Sequence, residues 1–154
     1  MTEERMKGMS LIVRTITRLM IAPILLFGIY IVLHGHLTPG GGFPGGVIIA
    51  VGITLLVLAF GLERTTKKIS YDTTKILDAL GAVIFIVIAF LGFFFVTNVF
   101  FAPYMTLIAL GTPAQWFSAG AIPFYNMAIA IKVTGALVAM FLGLVIVLMT
   151  GEEV

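Results

Sequence analysis

The chain has 154 residues, of which 60% are hydrophobic and only 10% charged, where a soluble domain is roughly a quarter charged. Between Ala79 and Ile131 there is no Asp, Glu, Lys or Arg, a run that no water-facing surface sustains, so a soluble globular protein is excluded. Cysteine is absent, which leaves this chain without disulfides, iron–sulfur ligands or cysteine-held zinc.

Taken in chain order, four segments have the roughly 20 apolar residues that one bilayer crossing needs. The first is Leu11–Leu33, apolar without interruption after Arg18, with Pro23 expected to bend it by removing a backbone donor. It is too long for the apolar region of a signal peptide and no small-x-small cleavage pattern follows, so it is expected to stay in the mature protein. The stretch "HGHLTPGGGFPGG", His34 to Gly46, comes next. The second span is expected over Gly45–Leu62, followed by a basic connection and "SYDTTKILDAL". The third is expected over Leu77–Phe101, and its end carries "GFFFVTNVFF", where Asn98 suits a bond between helices. A long uncharged segment around Trp116 follows, with Tyr104 and Tyr125 suited to the headgroup layer and Pro103, Pro113 and Pro123 dividing it. The fourth span is expected over Phe124–Met149. These runs are continuously apolar and never alternate with period two, which rules out β-barrel strands. The expected fold is all-α, a single membrane domain over residues 1–154 with four transmembrane helices.

Basic residues orient such a chain, because Lys and Arg are retained on the cytoplasmic side. Arg5, Lys7, Arg14 and Arg18 precede or enter the first span, and Arg64, Lys67, Lys68 and Lys75 lie between the second and third. The other two connections have none. Both termini are therefore expected in the cytoplasm, with the glycine-rich stretch and the Trp116 segment outside. The net charge of +2 follows from this topology and gives no support to nucleic-acid binding. Nothing in the second half echoes the glycine cluster, so a two-fold transporter repeat is not expected.

The glycine-rich stretch admits several readings. Gly40, Gly41 and Gly42 permit unusual backbone angles, Gly45 and Gly46 allow close approach, and Pro39 and Pro44 stiffen the segment. A phosphate cradle is disfavoured: no "GK[ST]" ending or preceding strand accompanies it. The plain alternative is a tight outer turn with Phe43 buried and the glycines there for packing. His36 suits either hydrogen bonding within the loop or proton handling, and His34 suits the membrane interface. Two histidine nitrogens do not make a closed metal site, and no Asp, Glu or Cys lies nearby in sequence.

Lys132 stands out on physical grounds. It lies about two helical turns into the fourth segment, where a charge costs on the order of 3 kcal/mol unless it finds water, a partner or a lost proton. Its expected position is the outer half of the membrane, near His36 and the loop, facing an ion path or subunit interface; snorkelling to the headgroups is the plainer account. Asp72, Lys75 and Asp78 flank the inner start of the third helix, where Asp or Thr caps free amides. Asp78 is nearest the apolar run.

The segment "GHLTPGGGFPGG", Gly35 to Gly46, closely resembles the "GHxxPGGGFxGG" signature of the MnhB/MrpB family, the B subunits of multisubunit Mrp-type cation/proton antiporters. Gly35, His36, Pro39, Gly40, Gly41, Gly42, Phe43, Gly45 and Gly46 fall on that pattern. "LAFGLE" at Leu58 to Glu63 continues the likeness, as does "FYNMAIAIKVTGAL" at Phe124 to Leu137, similar to the family's "N-x-x-I-x-x-K-V" with Asn126 and Lys132 at its polar positions. Related B-like subunits occur in archaeal membrane-bound hydrogenases and sulfur-reducing complexes.

The resemblance implies a noncatalytic subunit of a Na+/H+ antiporter module, in the plasma membrane of a bacterium or archaeon. It implies Na+ and H+ as transported ions, no cofactor in this chain, and other membrane subunits as partners, with a hydrogenase-like or sulfur-reducing arm where the module is redox-driven. A purely structural adaptor aligning larger transport subunits is the competing function. A membrane enzyme acting alone fares badly, because the chain has no nucleophile–base pair, metal set or cofactor motif.

Overall fold

The computed structural model describes residues 9–62, 65, 69–94 and 118–150. Four helices are long and apolar enough to cross a membrane, and no strand occurs among the described residues. They are α1 (Leu11–Leu33), α2 (Gly42–Phe60), α3 (Tyr71–Gly92) and α4 (Ile122–Thr150). The protein is an all-α membrane protein.

The first span runs as expected, continuous through Pro23. The others begin earlier than the apolar runs alone suggest, and each early start has a local cause. α2 starts at Gly42 rather than Gly45, because the amide of Gly42 finds an acceptor on another helix and Pro44 falls in the first turn, where a missing donor costs nothing. α3 starts at Tyr71 rather than Leu77, because Ser70 caps it by accepting from the Asp72 amide at 3.3 Å. α4 starts at Ile122, with Pro123 again in the first turn rather than breaking a loop. The expected end of the third span at Phe101, and with it Asn98, Tyr104 and Trp116, lies outside the described residues.

Spatial order differs from chain order. α1 packs on α2, α2 on α4, and α4 on α3, while α3 has no more than marginal contact with α1 or α2. The helices thus form a row, 1-2-4-3, with α4 central. Its buried side chains are mostly small: Ala50, Ala59, Ala89, Ala121, Ala128 and Ala130 are all enclosed. Large residues such as Leu19, Leu26, Val83, Met140 and Leu144 point outward. This inversion of the soluble pattern is what lipid requires, since acyl chains are as apolar as leucine and helices associate by close packing of small residues. A modest cluster of Ala50, Val57, Val138 and Leu142, with Tyr71 and Phe141 against it, holds α2, α3 and α4 together near the end that carries the basic residues. There Arg18 of α1 lies over the Phe60 ring at the end of α2.

Candidate ion-pair site and glycine-loop junction

Two sites carry the polar chemistry, and each is built by glycines. At the first, the loop after α1 turns on His34, whose amide and Nδ1 both bond the Tyr30 carbonyl at 3.0 Å while its ring stacks on Tyr30. Gly41, with φ of 122°, sets the corner before α2, an angle that side-chain-bearing residues rarely adopt. Asn126 of α4 then receives the loop: its Oδ1 accepts from the Gly42 amide at 3.3 Å. That amide is one of the unpaired donors at a helix start, so Asn126 caps α2 from another helix.

The following glycines divide their neighbours. A Cβ on Gly45 would meet Gly28 O of α1 at 2.9 Å, and one on Gly46 would meet Ala130 O of α4 at the same distance. α2 is therefore held at backbone contact on both sides, and Thr134 adds a bond to the Gly46 carbonyl at 3.1 Å. Phe43 departs from expectation. It is 63% exposed, pointing away from the chain rather than into the turn. His36 sits half-buried in the turn, and Gly35 lies beside Gly41 and Asn126. Gly40 and Pro39 are exposed.

At the second site, Lys132 Nζ donates to Asp78 Oδ1 at 2.6 Å, joining α4 to α3. Asp78 is not a cap: it is well past the first turn of α3, and Ser70 does the capping. The facing residues are Tyr71 with Gly143, Asp78 with Gly135, and Gly81 with Lys132, which fixes an antiparallel register. Gly81 stands at the centre of the 22-residue α3. Lys132 is therefore level with the middle of the described α3. The longer α4 extends past the start of α3, beyond the Tyr71–Gly143 contact.

The loop and Lys132 do not form one site. Loop contacts go to Asn126, on the α2 side of α4, whereas Lys132 turns to α3. Gly81 falls outside every motif noted in the sequence and Gly135 is not among the polar positions of its motif, yet the two glycines make the pair possible. A Cβ on Gly81 would come within 2.7 Å of Lys132 Cα, and one on Gly135 within 2.7 Å of Thr74 O. The signal is present as a pattern: "DALGA" at 78–82 and "KVTGA" at 132–136 each place glycine three residues after the charge. In an antiparallel pair, each glycine then admits the other helix at the level of its charge.

The pair is strong in kind and exposed in place. Side-chain exposures are 47% for Lys132 and 37% for Asp78, so it opens onto the outer face of the α3–α4 pair. On the other face, Leu33, Ile49, Leu77, Met127 and Ile131, with Thr134, line an almost entirely apolar cleft of about 300 Å³. Charge and oil are separated onto opposite faces of the row. Among the described residues no group of His, Cys, Asp and Glu is placed to hold a metal.

Residues 12–139 match the family described as a domain related to the MnhB subunit of Na+/H+ antiporter. The chain belongs to the MnhB family. Antiporter subunit mnhB2 of Staphylococcus aureus, in strains Newman and COL, is 32% identical over 139 residues, covering 90% of this chain and 96% of the relative. A chain of the membrane-bound sulfane sulfur reductase, an archaeal respiratory membrane complex, superposes with a TM-score of 0.67 at 29% identity. That match covers 90% of this MnhB-family chain and 61% of the other. Both the glycine loop and the ion pair lie inside the matched residues, so both belong to the family domain.

Proposed function

We propose that this chain is an integral subunit of an Mrp-type cation/proton antiporter module in the plasma membrane, exchanging Na+ for H+ together with other membrane subunits. The MnhB domain and the likeness to antiporter subunit mnhB2 support the module. The likeness to a respiratory membrane complex supports attachment to a redox-driven arm such as a sulfur reductase or hydrogenase. Within the module, the observation that carries a role in translocation is the Lys132–Asp78 pair between two apolar spans. Inserting each charge costs about 3 kcal/mol before pairing, a cost that apolar packing alone does not incur.

The pair works by exchange of charge. In the resting state the Lys132 ammonium donates to the Asp78 carboxylate and the two charges compensate. A cation arriving beside Asp78 competes with the ammonium for the same oxygen, and loss of that cation restores the pair. His36, half-buried in the turn, suits hydrogen bonding within the loop or proton handling.

Two measurements test this reading. Gentle extraction followed by pull-down and mass spectrometry is expected to recover antiporter-type membrane subunits; recovery of the chain alone would overturn the module. Lys132→Arg keeps the charge and the bond but removes the releasable proton, because arginine stays protonated. It is expected to leave complex amounts unchanged while lowering sodium-dependent proton movement in vesicles by at least about tenfold, the span of one pKa unit in energy. Unchanged antiport would reduce Lys132 to a fixed charge.

A further inference from the structure

The outer side of the ion pair has a chemistry that lipid cannot satisfy. An ammonium has three donors and a carboxylate two acceptor oxygens, while among the described residues each group bonds only the other, through one oxygen. Among the described residues two donors of Lys132 and Oδ2 of Asp78 therefore remain, on side chains 47% and 37% exposed and level with the middle of the described α3. In hydrocarbon every such group carries a desolvation cost. The flanking residues are shaped for approach. Ala82 follows Asp78 by four residues and Ala136 follows Lys132 by four, so each lies beside its charge on the same helix face. Both are partly exposed, and small residues at such a place let another backbone come close.

We infer that this face, centred on Asp78, Lys132, Ala82 and Ala136, is the docking surface for a transmembrane helix of another subunit, one presenting a hydrogen-bonding side chain level with the pair. The inference rests on the module reading above and names where in this chain the module is joined. Lysine's free donors require an acceptor across the interface, and the alanines leave room for the helix that carries it. The apolar cleft on the opposite face makes no such demand and is filled by any acyl chain or apolar side chain.

The test uses the assembled complex. A diazirine-bearing amino acid replaces Ala82 or Ala136, with Met127 in the apolar cleft as the control position. After illumination, mass spectrometry is expected to find one and the same transmembrane peptide of another subunit joined to positions 82 and 136, and not to 127. Lipid adducts alone at 82 and 136 would overturn the inference, as would capture of that helix only from 127.

The doubly substituted chain Asp78→Lys, Lys132→Asp is the second arm. It keeps the pair within the chain but reverses it toward the partner, so co-purification of the joined subunit is expected to fall at least about tenfold, as for one mismatched charged hydrogen bond. Wild-type co-purification of the swapped chain would count against docking. Because cysteine is absent, Ala82→Cys and Ala136→Cys each give a single thiol, expected to be shielded from membrane-impermeant maleimide in the complex. Rapid labelling of both would replace the helix with a water-filled path. Recovery of antiporter-type subunits without the expected cross-links defeats this inference alone; recovery of none defeats the module reading itself.

Discussion

The glycine-loop junction and the ion-pair junction use the same device for opposite ends. In both, glycines bring two helices to backbone contact: Gly42 and Gly46 against α4 at the loop, Gly81 and Gly135 across α3 and α4 at the pair. At the loop, the polar groups brought together are neutral and turn inward, with the Asn126 amide capping α2. At the pair they are charged and turn outward, about half exposed. At the first junction the chain itself supplies the partner of the Gly42 amide, while Asn126 Nδ2 is buried with none among the described residues. The second has donors and an acceptor oxygen that the described residues leave to something beyond the chain.

The largest expected effect breaks that contrast at its charged side. Lys132→Ala leaves Asp78 as a lone carboxylate between apolar spans, and Asp78→Ala leaves a lone ammonium; each is expected to destabilise the membrane-embedded chain by about 3 kcal/mol. The double variant removes both charges and is expected to recover most of that stability while antiport stays lost. Unfolding of the purified chain in bilayer discs supplies the stabilities and vesicle assays the transport. If the double variant transports normally, the pair is structural and the contrast between the two junctions collapses.

A smaller effect sharpens the role of the glycines. Gly81→Ala places a methyl group within 2.7 Å of the Lys132 Cα, where the backbone has to move. The expected loss is about 1–3 kcal/mol, as for overpacking, together with opening of the pair. Gly52→Ala is the matched comparison, because its new Cβ meets only side-chain carbons of Ile24, Ile21 and Leu25 at 3.1–3.5 Å, which can give way. A loss at Gly52 as large as at Gly81 would show that these positions do not set helix spacing.

Much of this arrangement is legible in the sequence, and the parts that are not share a cause. Four apolar runs announce four helices, since hydropathy is a property of each segment alone. The loop glycines and Lys132 stand out for the same local reason: unusual residues in an oily context. What stays hidden is relational. That Asp78 answers Lys132 depends on the register of α3 against α4, which no single segment records. The early starts of α2 and α3 depend on caps that hydropathy does not weigh, one of them from Asn126 on a distant helix. That Lys132 is level with Gly81 likewise depends on how α4 is set against α3, which neither apolar run records.

The smallest expected effect tests the neutral side. Asn126→Ala removes the acceptor for the Gly42 amide, leaving one more unpaired donor at the start of α2. A lost cap costs about 1 kcal/mol, and the packing of Gly46 against Ala130 and Val133 is left in place. The chain is therefore expected to assemble in slightly reduced amount and, once assembled, to exchange ions at the wild-type rate per complex. The separation of stability from transport is the informative part. Asn126 and Lys132 lie on the same helix but face different neighbours, so a defect at one is not transmitted through the other's contacts. Loss of antiport with full complex amounts would instead put the loop and His36 on the ion path, joining the two junctions into one functional unit across α4.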